Sequence, residues 1–285
     1  MLCAVGDLIE DVVVQLHDEI QSDSDTPATI ARRRGGSAAN VAYFAAKLYG
    51  RARFVGCVGG DPLGDSLIGQ LTARSVDVRG ERRGRTGSIV VLATTDGVRT
   101  MLTDRGDATN LSTFDSTWLD DVDTLHLPLY SFSHEPLAST TREMVRDARR
   151  RNIRVSVDLS SVTVIADLGI GVVMDLLGSL RPDVLLCTRM EADAIGLNPT
   201  QLFESRIVVV KNGAHPVIVF GENHPEQSYA LQTVDTVVDG TGAGDAFAAG
   251  FLGEMARGRT IESCVTAGHD VAARVVVRAG ATLED

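Results

Sequence analysis

Short runs of β-branched residues alternate with longer segments of helical period along nearly the whole chain, and this alternation restricts the fold more than any other feature. It is the pattern of a mostly parallel sheet covered by helices. The spacing predicts a strand at Leu2 to Val5, then a helix carrying Val41, Phe44, Ala45 and Leu48 that ends at Gly50. A strand Arg53 to Val58, a helix near Asp65 to Arg74 and a strand Thr124 to Leu127 follow. The alternation continues with a helix Pro136 to Arg151, a strand Ile153 to Asp158, a helix around Gly171 to Leu180 and a strand Val184 to Cys187. After a short helix from Glu191 and a strand Ile207 to Lys211, two long helices, Ala243 to Arg257 and Ile261 to Val277, close the chain.

Two stretches break the rhythm. Val12 to Leu16 and Thr29 to Arg33 read as an out-and-back pair of strands, and Gly87 to Leu102 as a hairpin turning at Asp96-Gly97. Strands without helices cannot be covered on both faces, so these four are expected to form a separate small layer lying over a ligand. A further hairpin near Glu222-Asn223 is expected at the periphery.

The 285 residues carry 27 basic and 38 acidic side chains, a formal net charge of −11. Such a surface as a whole repels nucleic acid and anionic bilayers, so neither is expected as a partner. The clusters Arg32 to Arg34 and Arg149 to Arg151 read as solvated faces, the second at a helix end where it complements the dipole. Cys3, Cys57, Cys187 and Cys264 are far apart in apolar contexts and read as small buried hydrophobes in a reducing compartment. Asp7, Glu10 and Asp11 stand where a secretory leader would be apolar, and no apolar run approaches a membrane span, so a cytoplasmic location is expected.

The strongest local signal is VVDGTGAGDAFAAGFLGEMARG, residues 237–258. It reads as a strand ending at Asp239, a Gly-rich turn, and a helix with Phe247, Phe251 and Met255 on one stripe. The N–H groups of Gly242, Ala243, Gly244 and Asp245 at a helix start suit an anion, and Asp245 is placed to accept a proton from an attacking hydroxyl. A tight turn with a carboxylate on the helix dipole is the plainer reading of the same residues. No G-K-[ST] follows, so this is no P-loop, and the dinucleotide fingerprint fails at Asp245. The second signal is GGSAANVAYFAAKLYG, residues 35–50. Gly35 and Gly36 would let backbone approach a ligand, and Asn40 could read sugar hydroxyls or merely cap the helix.

GGSAAN and DGTGAGDAFAAGF, in this order and separation, resemble the two signatures of the ribokinase (PfkB) family of carbohydrate kinases. VGDLIED at the start, VGGDPLGD at Val58 to Asp65 and the closing VRAGA match as well. The resemblance spans essentially the whole chain. It implies a three-layer α/β/α sandwich as one domain over residues 1–285, with a small β-sheet lid from about 12–34 and 87–104. The implied reaction moves the γ-phosphoryl of ATP to a hydroxyl of a small sugar or sugar acid. By position, Asp245 would be the base and Gly242, Ala243 and Gly244 the anion hole. Asp11, Gly36 and Asn40, with Gly35 and Asp7 beside them, would meet sugar hydroxyls.

Nucleotide contacts would fall to Thr188, Lys211, Gly213, Thr241, Gly242, Gly244 and His269. Glu191 would organise Mg²⁺ through water, and Asp239 lies where some members hold a monovalent cation such as K⁺. There are departures. Thr188-Arg189-Met190-Glu191 replaces the usual N-x-x-E and is also a capping box, Gly240 replaces a frequent Thr, Pro216 stands where Gly is common, and His269 where Asn is common. Ser37 stands where fructose-phosphate kinases often carry Lys, which disfavours a sugar phosphate. RTMLTDRGDATNL, residues 99–111, resembles fructokinases and 2-keto-3-deoxygluconate kinases, so Arg105 would meet a keto or carboxylate oxygen, or else pair with Asp104 and Asp107. A homodimer through the lid is expected. The other readings are a nucleoside kinase of the same fold, a silent sugar-binding relative, and an oxidoreductase binding NAD without the usual fingerprint.

Overall fold

The computed structural model describes residues 1–94, 99–197, 205–230, 234, 236–278 and 280–283. From β1 (Leu2–Val5) the chain runs into β2 (Ile9–Leu16) and β3 (Ala28–Gly35), then through α1 (Ser37–Tyr49) to β4 (Ala52–Val58), and through α2 (Pro62–Thr72) to β5 (Val76–Arg82). Next come β6 (Thr86–Ala93), β7 (Arg99–Gly106), β8 (Thr124–Pro128), α3 (Leu137–Arg150), β9 (Arg154–Asp158), α4 (Val162–Leu168) and α5 (Ile170–Leu180). The remainder is β10 (Val184–Thr188), α6 (Arg189–Ala194), β11 (Ile207–Asn212), β12 (His215–Gly221), β13 (His224–Tyr229), α7 (Ala243–Ala256) and α8 (Ile261–Val276).

Nine strands form the main sheet in the order β13-β12-β11-β10-β9-β8-β1-β4-β5. Every pair from β11 to β5 is parallel, and only β12 and β13 run antiparallel at one edge. Alternate residues of a strand face opposite sides, and the core divides accordingly. Leu2, Ala4, Val184 and Leu186 join the layer of α1, α7 and α8, whereas Cys3, Val5, Leu185 and Cys187 join that of α3 and α5. All four cysteines are buried and unpaired, as their apolar surroundings suggested. The layers are therefore helix, sheet, helix.

β3-β2-β6-β7 form a second sheet, with β2 and β6 parallel and the outer pairs antiparallel. The expected four-strand layer is thus present, although the Asp96-Gly97 turn lies outside the described residues. Among the described residues no single helix is long and apolar enough to cross a membrane.

Three expectations need correction. β5 went unpredicted because its apolar alternation stops after Val76 and Val78 and the rest of this edge strand, RGER, is polar. No strand ends at Asp239: residues 236–239 lie outside both sheets, Val237 and Val238 are exposed, and the N–H groups of Val238 and Asp239 donate to the Val276 carbonyl. Arg34, read as part of a solvated cluster, is buried; its guanidinium covers the Tyr43 ring and donates to the Ala281 carbonyl and to Asn40.

Candidate active site

In open α/β sheets the carboxyl ends of the strands are where loops can meet around a ligand. Here Asp158 ends β9, Thr188 ends β10, Lys211 lies at the end of β11, and the first turns of α1 and α7 arrive from the same side. Together they enclose a cavity of about 300 Å³. A smaller one, about 140 Å³, lies between this point and the second sheet. Ser37, Tyr130 and Thr241 line both, so the two chambers adjoin.

Asp245 borders the larger chamber near this junction. It occupies the third position of α7, whose N-cap is Gly242. One carboxylate oxygen accepts from the Ser37 hydroxyl at 2.7 Å, the other from the Asn40 amide at 2.9 Å. The orientation of Asn40 is fixed by Arg34, which donates to its other end at 2.5 Å. Asp245 opens to the cavity yet lies deep in protein, and this desolvation pushes its carboxyl up to about 6 against the opposing bonds from Ser37 and Asn40. That is a value suited to a general base near neutral pH.

The α7 start also offers N–H donors. Gly242, Gly244 and Asp245 occupy first-turn positions with no acceptor inside the helix. Ala243, expected to complete the set, already donates to the Gly240 carbonyl at 3.2 Å. Gly242 holds φ +77, and a methyl group there would lie 2.4 Å from Cβ of Ala281. Only glycine suits this turn.

Opposite stands a buried ionic group. The Lys211 ammonium donates to Asp158 at 2.6 Å. Burial would lower the lysine's pKa, but Asp158 and then Glu191 outweigh it and raise it. Glu191 is pushed up by burial and by Asp158, and its carboxylate accepts from the Thr188 N–H at 2.7 Å while Thr188 caps α6. The capping-box reading of T-x-x-E is therefore real, and Glu191 still lines the cavity. Asp158 was not singled out in the sequence. Its signal was its place at the carboxyl end of a predicted strand.

In the smaller chamber Asp7 pairs with Arg105 at 2.5 Å, and Arg105 lies over the Tyr130 ring at 4.3 Å. The alternative pairing of Arg105 with Asp104 and Asp107 is overturned: Asp104 binds Arg85, and Asp107 accepts from the Arg85 N–H and Asn110. The second oxygen of Asp7 is buried without a partner. Asp11 projects from β2, pushed up to about 6 by burial and by Asp7, with Arg34 opposing.

Gly35 and Gly36 make room for protein as much as for a ligand. A methyl group at either would lie 2.3 Å from an Asp11 carboxylate oxygen or the Asp7 carbonyl, respectively, although Gly36 also lines the chamber. Asp239 spends its oxygens on the N–H groups of Thr241 and Gly280, at 2.7 and 2.8 Å. Of the expected nucleotide contacts, Thr188, Lys211 and Thr241 line the larger chamber. Gly213 turns between β11 and β12 and His269 sits half-buried on α8; neither is in that lining.

A family model described as pfkB family carbohydrate kinase matches residues 1–285. The ATP-dependent ribose-1-phosphate kinase of Halopiger xanaduensis is 30% identical over 269 residues, covering 91% of this chain and 86% of that protein. A fructokinase of Vibrio alginolyticus is 28% identical over 262 residues, covering 87% and 82%. The crystal structure of adenosine kinase from Sinorhizobium meliloti matches with a TM-score of 0.88 at 24% identity, over 98% of this chain and 94% of that one. The last likeness establishes the fold, and the first match extends over the site and the whole sequence around it: the chain belongs to the pfkB family of carbohydrate kinases.

Proposed function

We propose that Asp245 is the base of the ATP-dependent sugar-kinase reaction of this family. One observation carries the assignment: a desolvated carboxylate, locked by Ser37 and Asn40, borders the larger chamber where it adjoins the one beneath the second sheet. An acceptor sugar in the smaller chamber would present a hydroxyl to Asp245, and the phosphates would enter the larger one. The N–H groups of Gly242, Gly244 and Asp245 would meet developing negative charge on the phosphoryl oxygens, with Lys211 across from them. A methyl group at 244 would touch the lysine Nζ at 3.4 Å, so glycine keeps that passage open. The second sheet serves as a lid that excludes water from the transfer.

Among the described residues no three carboxylate, histidine or cysteine side chains converge to hold a metal directly. The buried pair Asp158 and Glu191 suits a hydrated Mg²⁺ arriving with the nucleotide, and such an ion would offset charge on the phosphates. Asp239 is already committed to two backbone N–H groups, which favours a structural role over K⁺ binding.

Acceptor identity is tested by ADP release with Mg-ATP over ribose, fructose, 2-keto-3-deoxygluconate, adenosine and fructose 6-phosphate. Turnover on an acceptor that falls by a factor of ~10² or more in Asp245→Asn supports the assignment, and wild-type turnover in that variant refutes it. A nucleoside is the second acceptor class, favoured by a third cavity of about 720 Å³ that continues from Met101, Arg105 and Tyr130 toward His134 and Leu168. Preference for adenosine in the panel would establish it.

A further inference from the structure

One charged group in the acceptor chamber has no role in the reaction described above. Strand register in the second sheet sets Arg33, Asp11, Ile89 and Thr103 in one row and Ala31, Val13, Val91 and Met101 in the next. Residues directly opposed share a face. Asp11, Arg33, Ile89, Val13, Val91 and Met101 line the chamber, so this is the face turned toward the acceptor.

Four charged side chains enter that chamber, and two of them cancel: Asp7 and Arg105 form the ion pair already described. Asp11 and Arg33 do not pair with each other, although the ladder sets them opposite. Among the described residues neither has a hydrogen-bond or ion-pair partner. Arg33 is half-buried, and its stem packs where Gly280 leaves space: a methyl group at 280 would lie 2.3 Å from its Cδ. Gly280 is in turn held by Asp239. The arginine is thus seated by a constructed wall. It also borders an outer cleft with Arg32, Arg34 and Arg74, a concentration of positive charge on a protein whose net charge is −11.

A neutral sugar would satisfy Asp11 with a hydroxyl and offer the Arg33 guanidinium on the chamber wall no oxyanion to bind. A sugar bearing an anion satisfies both. Building on the kinase reading above, we propose that the acceptor carries a phosphate or carboxylate substituent and that Arg33 is the residue that receives it. The cation that position 37 lacks is supplied from β3. A planar guanidinium binds either oxyanion through paired N–H donors, so Arg33 sets specificity by charge while Asp11 reads hydroxyls.

The test compares kcat/KM of the full chain with Mg-ATP on matched acceptors: ribose against ribose 1-phosphate and ribose 5-phosphate, and 3-deoxyfructose against 2-keto-3-deoxygluconate. The expected result is a preference for one anionic acceptor over its neutral counterpart on the order of 10–100-fold. The phosphate and sugar-acid arms distinguish the two sources of the anion. In Arg33→Met, which keeps the stem, that ratio falls by a similar factor through KM; Arg33→Lys recovers part of it, and Arg32→Met on the opposite face leaves it in place. Preference for the neutral acceptors, or an equal loss on both kinds in Arg33→Met, overturns the proposal while leaving the kinase reading intact. Silence on every acceptor counts against the kinase reading instead. Calorimetric binding of ribose 1-phosphate, ribose and 2-keto-3-deoxygluconate to wild type and Arg33→Met then decides the anion site by itself: no anionic acceptor bound in preference to ribose refutes it.

Discussion

Protonation of Asp245 links chemistry to stability with opposite signs. As a base it must be ionised, so turnover is expected to fall as pH drops through about 6, and a profile flat down to pH 5 would contradict the assignment. For folding, the proton is held more tightly in the native state than at the ordinary value of 3.8, so the native carboxyl gains from protonation. That stabilisation is complete below about 4 and is lost as pH rises through about 6. Asp245→Asn removes the buried charge and can keep both hydrogen bonds, since the Ser37 hydroxyl can reverse to accept. The variant is expected to be inactive yet more stable at pH 7 by on the order of 1–3 kcal/mol, measured as a raised denaturation midpoint. Arg34 is the residue the sequence concealed. In a run of three arginines it looks solvated, and its burial depends on Ala281, 247 positions away, coming to rest beside it. Its neighbour Asn40 was legible as a polar group in a first helical turn, but not its partner: it joins Arg34 to the base.

At the level of elements, α7 carries the site because its start and its middle solve different problems. Its start is a left-handed glycine backed by Ala281, and its middle packs on α8 through glycines. A methyl group at Gly268 would lie 2.9 Å from the Phe247 carbonyl, and one at Gly250 would lie 2.7 Å from that of Ala267. Gly242→Ala is expected to cost about 2–4 kcal/mol, from a disfavoured backbone angle plus the clash with Ala281, and to lower kcat because the N–H donors move. Gly268→Val should cost about 1–3 kcal/mol by separating the helices. Chemical denaturation checks both. The helices other than the seven-residue α4, and the central strands, were legible because their apolar periodicity survives without context. The edge strand β5 and the stretch 236–239 were not, since the first turns polar after Val78 and in the second the N–H groups of Val238 and Asp239 are taken by the end of α8.

For the whole molecule, the second sheet divides its two faces between different tasks. One covers the acceptor chamber; the other presents Ile30, Val12, Val14, Val90, Leu92 and Leu102, with Ile30 and Leu102 largely exposed. The homodimer expected through the lid from the family resemblance would cover this apolar face with a second copy of the chain. Leu102→Asp combined with Ile30→Asp should then shift sedimentation from dimer to monomer, and an unchanged sedimentation coefficient would refute it.

The bonds from Ser37 and Asn40 to Asp245 span 208 and 205 residues. Closing so long a loop is entropically expensive and happens only once both halves of the chain have found each other. A chain in which α7 has not yet docked against α1 is therefore catalytically mute, and no such partly built intermediate can squander ATP. In refolding, regained turnover should trail the recovery of helical signal, so enzymatic activity becomes a clock for the last step of assembly.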